Sequence, residues 1–598
     1  MVNYNPLNKF YKSITGPISN DEQVTFRVKG NFDSVVFVLK KDGCAENYYP
    51  MLKQGDTFEL SIKLQVGLYF YTFKINNCSF LGKGDNLDSI ITNEAEFYQL
   101  SVFDKNFSTP DFIKGGVIYQ IFPDRFCKVD INARIPDYKV LHKDWKDLPV
   151  YEPNEYGKVL NNDFFGGNLK GIQSKLDYLK SLGVSVIYLN PIFKAYSNHR
   201  YDTGDYMQID PLLGSEQDLI DLINSAKEKG IAIVLDGVFN HTGDDSIYFN
   251  KYDRYDGVGA YQSKNSPYYK WFNFTEYPTS YESWWGIATL PSVNEKEQSY
   301  IDFITGKDGV LEHYTKLGIK GWRLDVVDEL PDSFVKNINK AVKGIDSEAI
   351  VIGEVWEDAS NKITYGERRE YFLGGELDSV MNYPLKNAIL HFAKFGDVKQ
   401  LKDVILEQID HYPNCVLNCL MNILATHDTY RLMSSLSMVD TLGMTKKQLS
   451  LLKLTGEDYK NAIKKVKVAS ILQYTLYGVP SVYYGDEIGM QGYTDPLNRC
   501  CMDWENGDKE LLKWFTLLGK IRNEYDCFSG DFELVYAKGG VVCYTRTGMR
   551  SQAFICINNS NKEITLNFDG GLKDLLTNEK VYELAVIKPF SQKVLVAI

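Results

Sequence analysis

Apolar and polar residues alternate along the first part of the chain, up to about residue 105. The stretches VTFRVKG, SVVFVLK, TFELSIKL and LYFYTFKI show the two-residue period of strands with one buried face, and Gly, Asn and Asp turns separate them. Short strands arranged in this way are typical of a β-sandwich. We therefore predict an N-terminal β-sandwich over residues 1–108, next to the linker-like stretch FDKNFSTPDFIKGG.

The pattern changes at Gly116, where short apolar strands begin to alternate with amphipathic helices. VIYQIFP precedes the helical stretch NLKGIQSKLDYLKSLG, and VSVIYLNPIF precedes SEQDLIDLINSAKEKG. The further apolar strands are IAIVLDGVFNH, GIKGWRLDVV, EAIVIGEVW, ELDSVMNY, CLMNILATHD and VPSVYYGDEIGM. Eight such strands predict an α/β fold, a (β/α)8 TIM barrel over residues 109–241 and 301–525. The alternative, a doubly wound sheet, carries a glycine-rich turn after its first strand, and VIYQIFPDRF has none.

Two other regions complete the predicted organisation. The aromatic-rich residues 242–300 separate the third and fourth barrel strands, so we predict an inserted domain after strand 3. The segments ELVYAKG, VVCYTRT, QAFICINN, EITLNFDG and KVLVAI return to short strands near the end of the chain. They predict a C-terminal all-β domain over residues 526–598, which we expect to be a second β-sandwich.

The composition excludes some classes of partner. A net charge of −12 provides no basic surface for nucleic acid, and no run of ~18 apolar residues predicts a membrane span. The N-terminus lacks a charged start followed by an apolar core, and the ten cysteines show no zinc-type spacing. These features predict a cytoplasmic enzyme. Aromatic residues make up 14% of the chain, which fits either aromatic-rich cores or flat platforms for sugar rings.

Charged and histidine side chains collect at the carboxyl ends of the predicted strands, where barrel enzymes place their active sites. Arg323 and Asp325 are two residues apart in GWRLD, so they point to the same side of the fourth strand. Singly, such a residue could be an ion pair or a helix cap. Agreement among several strand ends instead predicts a shared site. These residues are Asp124, Arg125, Asp236, Asn240, His241, Arg323, Asp325, Glu354, His427, Asp428, Asp486 and Glu487.

Three of these residues, Asp325, Glu354 and Asp428, are carboxylates that no metal-ligand set or Gly-x-Ser-x-Gly elbow accompanies. Carboxylates can hydrolyse a glycosidic bond without a metal, because one acts as nucleophile or base while another protonates the leaving oxygen. The third can hold the substrate or stabilise positive charge at the anomeric carbon. The set therefore favours a glycoside hydrolase.

The segments around these carboxylates resemble the α-amylase family of glycoside hydrolases. DGVFNH (236–241), GWRLD (321–325), GEVW (353–356) and ATHD (425–428) resemble the four hallmark segments of that family, in the same order. GVIYQIFPDRF and GVPSVYYGDEIGM resemble its first-strand and eighth-strand segments. The resemblance implies a retaining α-glucan hydrolase that acts through a covalent glycosyl-enzyme intermediate, with α-1,4 bonds as targets and α-1,6 bonds left open.

The resemblance also implies a role for each matching residue. Asp325 matches the nucleophile, Glu354 the general acid/base, and Asp428 the carboxylate that binds the −1 sugar and stabilises the transition state. Arg323 matches the arginine that holds the nucleophile ionised, because an adjacent cation lowers the pKa of a carboxylate. The expected distance between the carboxyl groups of nucleophile and acid is ~5–5.5 Å. The remaining matches are to sugar-binding residues: Tyr201, His241 and His427 at the −1 subsite, Trp356 at +2, and Asp495 and Arg499 on the glycone side.

Within the family, the chain is most similar to the neopullulanase, cyclomaltodextrinase and maltogenic amylase group, in which an all-β domain precedes the barrel. DVVDE (325–329) is close to the DVANE of that group but departs from it at Val327 and Asp328. LPSVN (290–294) stands where cyclodextrin-degrading members read MPKLN, and YESWWGIATLP (281–291) is closer to amylopullulanases. These features imply a neopullulanase-like enzyme for maltodextrins, starch or pullulan. A transglycosylating member and a non-catalytic α-glucan-binding barrel are the alternatives.

The resemblance leads to two further expectations, on metal binding and on assembly. Relatives bind Ca²⁺ through a loop after the first barrel strand and a GGD segment, which here read CKVDINAR (127–134) and GGN (166–168). Lys128 and Arg134 stand where ligands are expected and would repel the ion, so we expect no required cofactor. Relatives form dimers through the N-terminal domain, which implies a homodimer. The candidates left for a weak calcium site are Asp130, Gly166 and Asn168.

Overall fold

The computed structural model describes residues 3–130 and 134–597, and two packed sheets form its N-terminal part. The strands are β1 (Ile18–Ser19), β2 (Gln23–Lys29), β3 (Val35–Lys41), β4 (Asn47–Pro50), β5 (Leu52–Gln54), β6 (Thr57–Lys63), β7 (Gly67–Ile75), β8 (Ser79–Lys83), β9 (Ser89–Thr92) and β10 (Tyr98–Phe103). One sheet runs β1-β10-β7-β3-β4, with β8 paired to β7 and β9 paired to β8, and the other runs β2-β6-β5. Alternate residues of β2, such as Phe26, meet Phe37 and Phe73 in a shared core. The predicted sandwich is confirmed.

The central part of the chain contains the barrel and several short hairpins. Its strands are β11 (Ile118–Ile121), β12 (Val140–Leu141), β13 (Asp163–Phe164), β14 (Val186–Leu189), β15 (Phe193–Ala195), β16 (Thr203–Ile209), β17 (Ala232–Gly237), β18 (Phe274–Glu276), β19 (Ser280–Tyr281), β20 (Gly321–Leu324), β21 (Ile350–Gly353), β22 (Ile363–Thr364), β23 (Glu367–Arg368), β24 (Ser379–Val380), β25 (Met421–Ile423) and β26 (Val479–Tyr483).

Eight of these strands pair in parallel in the order β24-β21-β20-β17-β14-β11-β26-β25. Met381, directly after β24, bridges in parallel to Met421 of β25, which brings the two ends of the sheet together. Each of the eight strands lies in one of the predicted apolar segments. The (β/α)8 barrel is therefore confirmed, and the carboxyl ends of its strands lie on one face.

The helices pack around the barrel, and their ends follow local sequence signals. Ser215 caps α4 by accepting a hydrogen bond from the backbone of Asp218, whose own side chain bonds back to Ser215. This capping box satisfies two backbone groups that the first turn leaves unpaired. The helices are α1 (Pro123–Phe126), α2 (Leu169–Gln173), α3 (Leu176–Ser181), α4 (Glu216–Glu228), α5 (Gln298–Thr305), α6 (Val310–Leu317), α7 (Asp332–Ile345), α8 (Tyr383–Phe395), α9 (Lys399–His411), α10 (Asn414–Leu417), α11 (Leu432–Ser435), α12 (Lys446–Leu451), α13 (Gly456–Thr475) and α14 (Lys509–Glu524).

The segment between β17 and β20 packs largely through its aromatic side chains. Phe249, Trp271 and Phe272 are buried, and the Phe249 and Phe272 rings lie 4.9 Å apart. Trp285 in the same segment is instead exposed. The aromatic-rich core is therefore present here, and Trp285 leaves the expectation of a sugar platform as a prediction.

The C-terminal strands join in one continuous hydrogen-bonded sheet among the described residues, and the β-sandwich expected over residues 526–598 stays a prediction. Its strands are β27 (Asp531–Lys538), β28 (Val541–Thr547), β29 (Gln552–Asn558), β30 (Ile564–Asp574), β31 (Lys580–Ile587) and β32 (Ser591–Ala597), in the order β27-β28-β29-β32-β30-β31. One face of this sheet packs on the barrel: Phe532 lies against Tyr477, and the hydroxyls of Tyr544 and Thr475 are 2.5 Å apart. The opposite face has a core of its own, in which Cys543 and Cys556 pack with Val581 and Ile587 of β31.

The predicted domain limits at residues 108, 241, 300 and 525 stay predictions. Across the described residues, no helix is both long and apolar enough to cross a lipid bilayer.

Candidate active site

The carboxyl end of β20 places Arg323 and Asp325 beside each other, as their spacing predicts. Trp322 and Leu324 alternate with them and are buried in the main hydrophobic core. Val326 then adopts a left-handed conformation with φ of +40°, which is rare for a β-branched residue. Backbone conformations of this kind concentrate at functional sites. The turn follows Asp325 directly, at the mouth of the barrel.

The guanidinium of Arg323 holds three carboxylates together. Its Nη1 donates hydrogen bonds to Asp236 Oδ1 at 2.8 Å and to Asp325 Oδ1 at 2.9 Å. Its Nη2 lies 2.6 Å from Glu354 Oε2, an ion-pair contact without the alignment of a hydrogen bond. Arg323 is fully buried, and the three carboxylates are nearly so. A buried cation shared in this way brings together groups from β17, β20 and the loop after β21.

Burial and charge act in opposite directions on these carboxylates. Burial raises the pKa of Asp325 well above its ordinary value, Arg323 acts to lower it, and the charges of Glu354 and Asp236 raise it further. Burial also raises the pKa of Asp236, again against Arg323. Arg323 therefore favours the ionised nucleophile, as the family resemblance implies, but its charge is divided among its partners and burial outweighs it.

Glu354 is fixed by two donors at its carboxyl group. Its Oε2 accepts a hydrogen bond from the backbone N–H of Val326 at 3.0 Å, and its Oε1 accepts one from the indole N–H of Trp356 at 3.1 Å. The Trp356 ring stacks on Tyr383 with centroids 4.0 Å apart, and 47% of the residue is exposed. Trp356 therefore combines a contact to the predicted acid with an open surface.

Asp428 follows β25, on the same face of the barrel as the other carboxylates. Its Oδ1 accepts a hydrogen bond from Arg499 at 3.2 Å, and its Oδ2 lies 3.0 Å from His427 Nε2. Burial raises the pKa of Asp428, while Arg499 and Arg323 act to lower it. Arg499 also contacts Asp495 at 2.9 Å, so this predicted pair is brought to the site.

The predicted −1 subsite residues meet around these carboxylates. The Tyr201 ring lies parallel to the His427 ring at 5.1 Å, and its hydroxyl donates to Asp236 at 2.8 Å. Burial lowers the pKa of His241 to about 4, so its ring is neutral. Its Nε2 donates to the carbonyl of Tyr201 at 3.0 Å, and its Nδ1 has no hydrogen-bond partner within the described part of the chain.

The family profile "Alpha amylase, catalytic domain" matches residues 120–513, a range that contains all of these groups. The chain belongs to the α-amylase family. The family resemblance predicted from the sequence is thus confirmed.

The similar proteins are α-glucan enzymes by name. The chain is 38% identical to an amylopullulanase of Thermoanaerobacterium saccharolyticum, over 96% of this chain and 50% of that protein. It is 33% identical to a cyclomaltodextrinase of Thermoanaerobacter pseudethanolicus, over 79% of this chain and 75% of that protein. Its fold matches the type III pullulan hydrolase of Thermococcus kodakarensis with a TM-score of 0.71 over 100% of both chains, at 25% identity. The chain spans 34–50% of the length of three amylopullulanases that it matches.

Sequence reasoning missed a second group of aromatic residues in this family member. Trp285 is 77% exposed, has a φ of +49°, and donates its indole N–H to Glu329 at 2.7 Å. Its ring stacks on Trp284, whose ring in turn lies 5.4 Å from His241. The WW pair inside YESWWGIATLP is the sequence signal for this surface, because two adjacent tryptophans in an inserted loop indicate exposed aromatic rings.

The candidate calcium ligands do not form a ring of oxygens. The side-chain oxygen of Asn168 accepts the backbone N–H of Gly171 at 2.8 Å. The amide nitrogen of Asn168 donates to the carbonyls of Val129 at 2.6 Å and Gly166 at 3.1 Å. The oxygens of Asn168, Val129 and Gly166 thus already accept hydrogen bonds from N–H groups, whereas Ca²⁺ would need such oxygens as ligands. Asp130 is exposed, and residues 131–133 of the same loop lie outside the described part of the chain.

Proposed function

We propose that this chain is a retaining α-glucan hydrolase that cleaves the α-1,4 bonds, and also the α-1,6 bonds, of maltodextrins, starch or pullulan. The main support for this proposal is that Asp325 and Glu354, at the ends of neighbouring strands, both contact the buried guanidinium of Arg323. Retention requires the nucleophile and the acid to lie ~5–5.5 Å apart, and two carboxylates that contact one guanidinium suit this short spacing. The names of similar proteins support this substrate class, since they include amylopullulanases and cyclomaltodextrinases.

In the proposed reaction, the carboxylate of Asp325 attacks the anomeric carbon as the bond to the leaving sugar breaks. Glu354 gives its proton to the leaving oxygen and becomes a carboxylate. Glu354 then takes a proton from a water molecule, whose oxygen attacks the anomeric carbon and releases Asp325. Asp428, held by His427 and Arg499, binds the −1 sugar and stabilises the positive charge that develops on it.

The leaving sugar lies on the Glu354 side of the bond, because Glu354 protonates the leaving oxygen. Trp356 donates a hydrogen bond to Glu354, so its exposed ring suits an acceptor-side sugar. Trp285 donates a hydrogen bond to Glu329, which lies on the loop after β20. The charge of Glu329 also raises the pKa of Tyr365, which lies on the hairpin after β21, so the two loops are close to each other. We assign Trp285 to the same acceptor side as Trp356.

Two departures from the cyclodextrin-degrading pattern, Val327 and Asp328, lie directly before Glu329 in the chain. Val327 is fully buried, and Asp328 pairs with Lys362 at 3.1 Å and accepts a hydrogen bond from Tyr371 at 2.8 Å. These two residues support the loop around Glu329 and have structural partners of their own. They therefore do not argue against any particular α-glucan.

Digestion of pullulan tests the proposal and identifies the bond that is cut. Panose, isopanose and maltotriose each correspond to a different cleavage, and any of them supports the hydrolase. Asp325→Asn is the control and should abolish product while the protein remains folded. Full activity in this variant would refute the assignment, and disaccharide or longer transfer products with an added acceptor sugar would favour the transglycosylating alternative. Binding of α-glucan without any turnover would favour the non-catalytic barrel.

We also propose a homodimer formed through the N-terminal sandwich. The proposal rests on the family resemblance, and light scattering that shows a monomer at micromolar concentration would refute it. The cytoplasmic location stays a prediction.

A further inference from the structure

We infer that Gln120 is a positioning residue that selects one tautomer of His427 and thereby orients Asp428. Gln120 lies in β11 and is fully buried. It belongs to the YQIFP segment, to which the proposed reaction assigns no role. Its side-chain nitrogen lies 3.0 Å from Asn190 Oδ1 and 3.0 Å from His427 Nδ1. An amide nitrogen carries two hydrogens and can only donate. His427 Nδ1 must then accept, so it carries no proton.

The orientation of the Gln120 amide is set from the far end of a hydrogen-bond chain. Asp236 accepts hydrogen bonds from Arg323 and from the hydroxyl of Tyr201, so this hydroxyl donates its only proton there. The Tyr201 oxygen then accepts from the amide nitrogen of Asn190 at 2.9 Å. The amide oxygen of Asn190 is therefore left to face Gln120, which must present its nitrogen.

The other end of the chain leads to the same assignment. Asp428 Oδ2 lies 3.0 Å from His427 Nε2. This contact is an ion-pair distance without the alignment of a hydrogen bond, but a carboxylate only accepts, so its charge attracts the proton of the neutral ring to Nε2. The neutral form is favoured because burial lowers the pKa of His427 well below its ordinary value, and Arg499 and Arg323 lower it further. The hydrogen bonds that start at Asp236 and the charge of Asp428 thus favour the same tautomer of His427.

The charged groups that face His427 come from several elements. Asp428 follows it directly, Arg499 lies after β26, Arg323 lies in β20, and Glu354 follows β21. Arg499 also donates through Nε to the backbone carbonyl of His427 at 2.9 Å. None of these groups lies at Nδ1, where Gln120 is the partner among the described residues. Among the described residues, Gln120 therefore makes the aligned hydrogen bond to the ring of His427, and it fixes the tautomer that the charge of Asp428 only favours.

The consequence concerns the third carboxylate of the site. With the proton on Nε2, the N–H lies beside the carboxylate of Asp428 and attracts one of its oxygens, which keeps Asp428 oriented toward the −1 sugar. With the proton on Nδ1, two acceptors would face each other across 3.0 Å and Asp428 would turn away. A wrong histidine tautomer disables catalysis even where the surrounding geometry is intact.

The direct test is nitrogen NMR of the protein labelled at histidine, with His427 assigned by a His427→Asn variant. We expect a bare Nδ1 and a protonated Nε2 in the wild type. In Gln120→Met, which keeps the length of the side chain and loses its donors, we expect a mixture of tautomers. In Gln120→Glu, a carboxylate faces Nδ1 and should draw a proton onto it, so both nitrogens should be protonated at neutral pH.

The kinetic test rests on the proposed hydrolase function, whereas the NMR test does not, so the two can fail separately. Gln120→Met should lower kcat by about tenfold with a smaller change in KM, in line with the loss of one oriented hydrogen bond. Gln473→Met is the matched control, because Gln473 is also buried in the barrel and its amide also donates twice, to the carbonyls of Asn422 and Ser481. This control should leave the His427 spectrum unchanged. A wild-type protein with the proton on Nδ1, or a Gln120→Met variant with a wild-type His427 spectrum, would overturn the inference.

Discussion

Replacing Trp285 with alanine removes an exposed ring beside the predicted acceptor subsites. The backbone at this residue is left-handed, with φ of +49°, and the indole N–H is tied to Glu329. The ring is thus held in place before any substrate arrives. Ordering it on binding costs little, and its flat face is available for contact with a sugar.

The size of the effect can be worked from the exposure of the ring. Trp285 is 77% exposed, so with ~200 Å² for an aromatic side chain about 150 Å² faces solvent, and one ring face accounts for about half of that. Covering ~75 Å² at ~25 cal/mol per Å² contributes about 1.9 kcal/mol, or roughly 25-fold in affinity. Trp285→Ala should therefore raise KM by about this factor for substrates long enough to reach the ring.

The assay is a set of initial rates over maltooligosaccharides of increasing length. Short substrates that end before the ring should show wild-type kinetics in Trp285→Ala, and longer ones should show the raised KM. Trp285→Phe should recover most of the loss because it keeps an aromatic face. Tyr582→Ala is a suitable control, since Tyr582 is 63% exposed but lies in the C-terminal sheet. An unchanged KM at every length would refute the role of Trp285.

Three other variants test the electrostatics of the molecule. Asp325→Asn should lower kcat by at least ~10⁴-fold. Because burial acts against the charge of this carboxyl and raises its pKa, the neutral amide avoids that cost, and calorimetry should give a Tm equal to or above that of the wild type. A clearly lower Tm would contradict this reasoning. Arg323→Met leaves three buried carboxylates without their shared cation. Urea unfolding should show a free energy of unfolding lower by about 3–5 kcal/mol. A loss below about 1 kcal/mol would show that the ion pairs add little to stability. Burial raises the pKa of Glu376 to about 8 from an ordinary value of 4.5, so the protonated form is favoured in the fold. The stability that this protonation contributes is complete below pH 4.5 and is lost as the pH rises through about 8. Glu376→Gln should flatten this fall in urea midpoints measured across that pH range, and an unchanged slope would assign the fall to other groups.

The barrel and its three carboxylates could be predicted from the sequence because they depend on local patterns. A buried strand has a short apolar run, and Arg323 and Asp325 mark the end of one such run by their spacing. The same reasoning places Glu354 and Asp428 at two further strand ends. Each of these residues lies next to the pattern that identifies it.

Residues whose role depends on distant partners could not be predicted in this way. Gln120 looks like an ordinary polar residue inside a strand, and only the fold brings it to His427, which is 307 positions away. The separation of Trp285 and Glu329 is 44 positions. The C-terminal strands were predicted, but their partner was not, because alternation shows that a sheet buries one face and does not show what covers it.

The hydrogen bond from Val326 to Glu354 ties the proposed nucleophile and the proposed acid to one piece of backbone. Val326 follows Asp325, and its left-handed conformation costs about 1–3 kcal/mol that the surrounding contacts must offset. The spacing between Asp325 and Glu354 is therefore a property of the pair of loops. Attempts to transplant this chemistry onto another barrel, or to exchange loops between relatives, should move residues 323–326 and 354–356 together, since either segment alone would arrive without the bond that sets its distance to the other.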